Sequence, residues 1–199
     1  EEVRRAAPAA HVRAALVDVS RKRSVQDLAD GWQGPLHVLV NNAGATPRRR
    51  QTTPEGIEVQ FATNVLGYFW MIQAFRERLR ASAPARVVNV ASHWAGDLDL
   101  QDLEFERRPY DNDTAYRQSK QADRMLTVAC AERLAPLGIV VNACHPGDVR
   151  SALSHNLGYA GSDSPDRAAR TPVWLATDEA ARGTGKFFAD QREVPDRFA

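Results

Sequence analysis

Leu36–Gly44, LHVLVNNAG, decides the fold. A continuous apolar run rich in β-branched and aliphatic residues stops abruptly at Asn-Asn-Ala-Gly, the pattern of a strand covered on both faces that runs into a turn. Working outward, comparable runs occupy Val12–Val19, Arg86–Ala91 and Ile139–Cys144, with a shorter and weaker one at Gly185–Ala189. Helical patterns lie between them, near Ser24–Gly31, Gly56–Ala81, Thr114–Leu134 and Ser164–Thr177. Ser24 can cap the first helix, Pro54 stands before the second, and Pro136 with Gly138 ends the third. This alternation predicts an α/β fold on a doubly wound parallel sheet. No internal repeat or linker divides it, so a single domain over residues 1–199 is expected.

The bulk numbers narrow the function classes. An apolar fraction of 43% and a charged fraction of 26% are those of a soluble globular protein. The net charge of +1 sets up no field for nucleic acid or an anionic membrane, so neither is expected as a partner. Arg48-Arg49-Arg50 reads as a solvated loop, with a phosphate-binding patch as its alternative because the run follows the NNAG turn. Cys130 and Cys144 have neither metal-ligand spacing nor a CxxC partner and read as small core residues, and no metal site is expected. A reducing, cytoplasmic setting fits them. No stretch approaches the roughly 18 apolar residues of a membrane span. The first residues, EEVRRAAPAA, lack a leader pattern and do not begin with methionine, which leaves room for a targeting or anchoring segment outside the chain.

Tyr116 and Lys120, four apart in AYRQSKQADRM, fall on one face of a predicted helix. A free phenol titrates near ~10, and a fixed positive charge beside it favours the phenolate, so the pair can exchange protons closer to neutrality. The same spacing also occurs on solvated helices.

Together with LHVLVNNAG, NVLG at 64–67, ARVVNVAS at 85–92 and GIVVNACHPGDVRS at 138–151, the pair resembles the short-chain dehydrogenase/reductase family. The interval from Ser92 to Tyr116 is most similar to its retinol-dehydrogenase-like branch. The resemblance runs from about Val12 to about Asp190. It implies a Rossmann-like sheet and a catalytic set of Asn64, Ser92, Tyr116 and Lys120. In that set Tyr116 is the acid or base, Lys120 acidifies it and binds the ribose of the cofactor, and Ser92 donates to the developing alkoxide. Asn64 supports a water that links Lys120 to solvent. The residue-level alternatives are a turn or cap for Ser92 and a helix irregularity for Asn64.

Cofactor contacts are implied at Asp18, Val19, Asn41, Ala43, Gly44, Tyr116, Lys120, Pro146, Gly147, Val149 and Ser151. Read alone, Asp18 is a turn or cap residue and the NNAG and Pro-Gly segments are turns. The implied cofactor is NADP or NAD, with NADP slightly favoured. The implied reaction interconverts a lipophilic alcohol and its carbonyl, with Ala152–Asp166 as the lid over the substrate. His37 departs from the aspartate usual before VLVNNAG, and Ala91 stands where the branch has a second serine.

The family's opening strand, glycine-rich turn, helix and second strand have no counterpart here. The only GxG, Gly183-Thr184-Gly185, lacks the strand before and helix after that would make it a phosphate loop. The sheet is therefore expected to be N-terminally incomplete, missing the first two strands, with Val12–Val19 and Leu36–Asn41 as unpaired edges that invite dimerisation. Homo-oligomerisation is left open. Two further readings follow: a truncated, catalytically silent form that acts by interaction, and epimerase or dehydratase chemistry through the same Tyr and Lys.

Overall fold

A computed structural model describes residues 2–181 and 183–198, beginning with a short helix, α1 (Glu2–Ala6). Its centre is a five-stranded sheet in the order β1 (Val38–Asn41), β2 (Ala85–Val90), β3 (Ile139–His145), β4 (Phe187–Ala189) and β5 (Arg192–Val194). The first four are parallel and β5 returns antiparallel on β4. Four of the predicted strands are thus present.

Alternate residues of each strand feed opposite cores, which is what makes the sheet doubly wound. On one face Leu39, Val87 and Val141 pack with α2 (Lys22–Gly31), α3 (Gly67–Ala81) and α4 (Asn112–Leu134), through Ala29, Ile72, Phe75 and Cys130. On the other, Val88, Val90, Cys144 and Phe188 pack against Leu175 of α6 (Pro165–Thr177). Both cysteines are free, buried and apolar in their surroundings. Among the described residues no helix is long and apolar enough to cross a membrane.

The predicted strand over Val12–Val19 does not form. Its residues have no regular structure, and Leu16 is fully exposed at 103%. An extended segment becomes a strand only when its N–H and C=O groups meet a ladder partner, and none of the described residues offers one. β1 pairs with β2 alone, so its outer edge is open as the sequence implied, and Val40 there is 44% exposed. Ser24 is not the cap of α2 either; it lies in the first turn, where its hydroxyl accepts the Asp18 N–H at 2.8 Å.

The helical stretch expected from Gly56 begins only beyond Glu58, whose buried carboxylate accepts the N–H groups of Gln60 at 2.9 Å and Phe61 at 2.7 Å. It opens as a π turn, Phe61–Leu66, before continuing as α3. α4 is capped by Asp111, which accepts from Thr114 N at 2.8 Å, and α6 by Ser164.

Gly67, at the start of α3, lets the chain cross the helix. A Cβ there would stand 2.8 Å from the Val19 carbonyl oxygen, so the turn that ends the 12–19 segment rests on this glycine. Gly67→Ala is expected to lower the stability by about 1–3 kcal/mol through overpacking. Gly31→Ala, at a helical site with nothing within 4 Å of the new methyl, should instead be neutral or stabilising by up to about 1 kcal/mol. Urea denaturation of both variants checks the contrast.

Candidate active site

The site forms where β2 ends and α4 passes beside it. Lys120 reaches back along α4 and donates from Nζ to the Val90 carbonyl at 2.9 Å, and the same oxygen accepts the Tyr68 hydroxyl at 3.2 Å. The ammonium lies 5.2 Å from the centroid of the Tyr68 ring and 5.9 Å from that of Tyr116, within reach of the negative ring faces. Lys120 is 3% exposed and Tyr116 9%. The Tyr116 carbonyl accepts from Ser119 Oγ at 2.8 Å, while its phenol oxygen has no hydrogen-bond partner among the described residues. That leaves the phenol free to bond a ligand.

Asn64 sits in the π turn, whose wider hydrogen-bonded ring displaces a residue from the regular ladder. Its side chain is fully buried and committed: Oδ1 accepts Ala45 N–H at 2.8 Å, and Nδ2 donates to Ala45 O at 3.1 Å and Ser119 Oγ at 3.0 Å. The amide thereby ties the loop after NNAG to α4, one residue from Lys120. Ser92 follows β2, buried, with Oγ accepting Trp94 N–H at 3.0 Å. No hydrogen bond joins Ser92 to Tyr116 among the described residues.

The predicted cofactor residues divide. Ala43 and Gly44 are exposed at the mouth, but Asn41 is buried and donates Nδ2 to Asn89 Oδ1 at 2.9 Å across the β1–β2 register. Asp18 closes a local turn, accepting Ser20 N–H at 3.0 Å and Ser20 Oγ–H at 2.6 Å, and Val19 faces Gly67. After β3, Pro146 leads into Gly147, whose φ of 106° only glycine adopts easily. Val149 accepts the Ser154 hydroxyl and bridges to Asp163, while Ser151 caps α5 (Ala152–Asn156) through Ser154 N at 3.2 Å.

The segment expected to be a lid lies over the NNAG loop. Leu153 O accepts Thr46 Oγ–H at 3.1 Å, Arg48 donates to His155 O at 3.2 Å, and Leu153 Cδ1 is 3.1 Å from the place of a Cβ on Gly44. Arg48 and Arg50 are therefore engaged, the latter with Glu104 O at 2.8 Å. At the far end Tyr159 meets Trp94 edge to face, 6.0 Å between centroids, both rings about half exposed.

The sequence profile of short chain dehydrogenases matches residues 1–160. The chain belongs to that family. It is 38% identical over 217 residues to a probable oxidoreductase of Streptomyces antibioticus, covering 98% of this chain and 72% of that protein. With human retinol dehydrogenase 13 it shares 35% identity over 199 residues, 89% of this chain and 60% of the relative's length. Among solved structures, an uncharacterised protein of Mycobacterium paratuberculosis superposes with a TM-score of 0.76 at 30% identity, covering 94% of this chain and 65% of the other. An NADPH-bound short chain oxidoreductase of Pseudomonas aeruginosa PAO1 gives 0.68 at 25% identity, covering 94% and 77%. The parallel sheet with helices on both faces is therefore the Rossmann-like sheet of short-chain dehydrogenases, as the sequence reading expected.

Within this short-chain dehydrogenase, the structure adds to the site several residues to which the sequence reading gave no role there. Tyr68 and Ser119 reinforce Val90 and Asn64 as described. His93, next in the chain to Ser92, and His145 lie with centroids 4.5 Å apart and their rings tilted by 52°, and His145 Nδ1 accepts the His93 N–H at 3.3 Å. Burial lowers His145 to about 4, so it remains the neutral acceptor this bond requires. The largest omission is Asp123, fully buried, whose Oδ2 accepts from Lys120 Nζ at 2.9 Å. Its signal was helical: 116, 120, 123 and 127 share one face.

Burial pulls the Lys120 ammonium down, and the Asp123 charge outweighs it and leaves the lysine above its ordinary value. Burial lifts Asp123 from 3.8 to about 7 against the pull of the ammonium. Folded protein therefore holds a proton on Asp123 that the unfolded chain releases near 3.8. In that interval the folded state binds more protons, so this group's contribution to stability falls as pH rises from about 4 to about 7. Urea midpoints measured across this range should show the decline, and Asp123→Asn should flatten it.

Proposed function

We propose that the chain is an NAD(P)-dependent oxidoreductase interconverting a lipophilic alcohol and its carbonyl, with Tyr116 as the proton donor and acceptor. The observation that carries this reading is the phenol of Tyr116, almost buried yet unpartnered, beside an ammonium held at the end of β2. A hydroxyl so placed is free to bond a substrate oxygen and to pass it a proton.

The dinucleotide supplies the hydride when bound. Lys120 has three N–H donors, of which Val90 and Asp123 take two, so one remains for a ribose hydroxyl. The exposed backbone of Ala43 and Gly44 and the turn at Gly147 offer close approach, consistent with contacts by Asn41–Gly44 and by the segment from Pro146 to Ser151. Asp18 and Val19 would lie on the adenosine side. NADP and NAD are not distinguished by these groups; the preference for NADP rests on resemblance.

During carbonyl reduction Tyr116 gives its proton to the substrate oxygen and Lys120 steadies the phenolate. Ser92, whose Oγ accepts from Trp94, retains its own O–H to donate to the same oxygen. Asn64 holds the loop and α4 at fixed separation rather than touching Lys120. The half-exposed Trp94–Tyr159 pair supplies an apolar rim suited to a lipophilic substrate. A small-molecule substrate accords with the family; oligomerisation through the open edge of β1 is a further proposal.

A silent form is the second reading, and one observation favours it: Leu153 packs against Gly44, on the loop a cofactor would approach. Calorimetric titration with NADPH and NADH separates the two. Binding is expected, with Tyr116→Phe lowering NADPH-dependent carbonyl reduction by about 10²-fold or more while leaving NADPH affinity within a few-fold. Absence of binding to the chain as given would favour the silent form.

A further inference from the structure

The proton-handling residues described so far leave one group unexplained. Asp123 is 0% exposed, one of its oxygens takes a bond from Lys120, and the other, Oδ1, has no hydrogen-bond partner among the described residues. A buried carboxylate with half its acceptor capacity idle is costly to keep unless its charge has a use. Lys120 is the charged group beside Asp123; Tyr68 from α3 faces both members of the pair, and Tyr116 of the same helix and Cys144 of β3 lie within the field of Lys120. Of these only Lys120 is cationic.

We propose that Asp123 is the positioning residue of Lys120: the fixed anchor of the ammonium, while the second acceptor, the Val90 carbonyl, is the one exchanged for ligand.

The two acceptors differ in what they lose when the lysine lets go. Val90 O keeps the Tyr68 hydroxyl at 3.2 Å and is a neutral group. Asp123 would become a bare carboxylate in a dry interior, far more costly than an unpaired carbonyl. Releasing Val90 therefore frees a second donor on Lys120 with little loss. The geometry supports the same division, since Asp123 stands three residues along the same helix and its main-chain carbonyl is fixed by Thr127 Oγ–H at 2.8 Å. The anchor moves only if α4 moves.

A consequence concerns charge. With Asp123 ionised the pair is neutral overall; when the carboxylate takes one proton from solvent, the pair carries +1 and the anchor weakens from an ion pair to a hydrogen bond between the ammonium and an uncharged carboxyl. Burial places that change near neutrality. The field that Lys120 exerts on Tyr116 and on an anionic ligand then depends on a residue that touches neither.

This extends the oxidoreductase reading, and the test separates the two. Asp123→Asn keeps the size and an oxygen acceptor and removes the charge. The side chain of Lys120, followed by carbon-13 NMR and assigned by its loss in Lys120→Met, should remain protonated to about pH 11 or above in the parent. In Asp123→Asn its titration midpoint should fall by more than about one pH unit, a tenfold change in acidity. Calorimetric NADPH affinity measured from about pH 6 to 8 should carry an ionisation in the parent that is missing in Asp123→Asn. The retained His93 and His145 serve as internal controls. Should Asp123→Asn fail to fold, Lys120→Met gives the reciprocal measurement: infrared spectra at pH 8 should show a protonated carboxyl that the parent lacks. An unchanged lysine midpoint, an unchanged NADPH profile, or an ionised Asp123 in Lys120→Met overturns the proposal. If no variant binds NADPH, the oxidoreductase reading fails while the NMR and infrared results still decide the role of Asp123.

Discussion

A positive charge has been taken out of water at Lys120, and the middle of the molecule is arranged around keeping it there. Isolated in a protein interior, an ammonium costs several kcal/mol even after relaxation. Here it meets a carboxylate and a strand-end carbonyl, each at 2.9 Å, between two tyrosine rings. Asp123 and Tyr116 come from α4 itself, Val90 from β2 and Tyr68 from α3, so the charge can be buried only if β2, α3 and α4 assemble together. The π turn and Asn64 serve the same assembly from the other side, by binding Ala45 and Ser119. Chemistry and folding thus share one constraint: the charge that lies beside the unpartnered Tyr116 phenol is also the charge whose desolvation must be offset.

Much of this fold was readable from residues alone, and the parts that were not have a common cause. β2 and β3 are continuous apolar runs buried on both faces, so composition marks them without help from any neighbour. Val12–Val19 has the same composition and no strand, because composition specifies side-chain burial while a ladder also needs a partner. Helix starts were misplaced where a side chain outside the pattern does the capping, as Glu58 and Asp111 do. At the site, Tyr116, Lys120 and Asn64 stood out through the order of motifs shared with the family, since their spacing and polarity alone also suit a solvated or irregular helix. Asp123 did not, since a charged residue in QADRM looks like solvated surface until the helix is packed. Arg124 beside it misleads in the same way: it is 4% exposed, paired with Asp196 at 2.6 Å and stacked on Phe187.

The segment from Val149 to Asp163 shows a different division between internal and external bonding. Val149, Ser151 and Ser154 bond chiefly to one another, and the segment closes at its base through the Val149–Asp163 bridge. Its contacts with the rest are few and polar, to Thr46, Arg48 and Asn112, with Leu153 and Tyr159 as the apolar exceptions. Such a loop keeps its internal shape while its attachment to the NNAG turn rests on bonds that water can replace.

One run of hydrogen bonds passes straight through the sheet. Asn41 donates to Asn89, Asn89 to Thr127, and Thr127 to the main chain of Asp123, all between 2.8 and 2.9 Å and all pointing the same way. Each link is short and buried, so the run behaves as a strut between the outermost strand and the helix that carries the lysine. Any partner that paired with the open side of β1 and shifted it would press on Asp123 through three side chains, without itself touching the lysine.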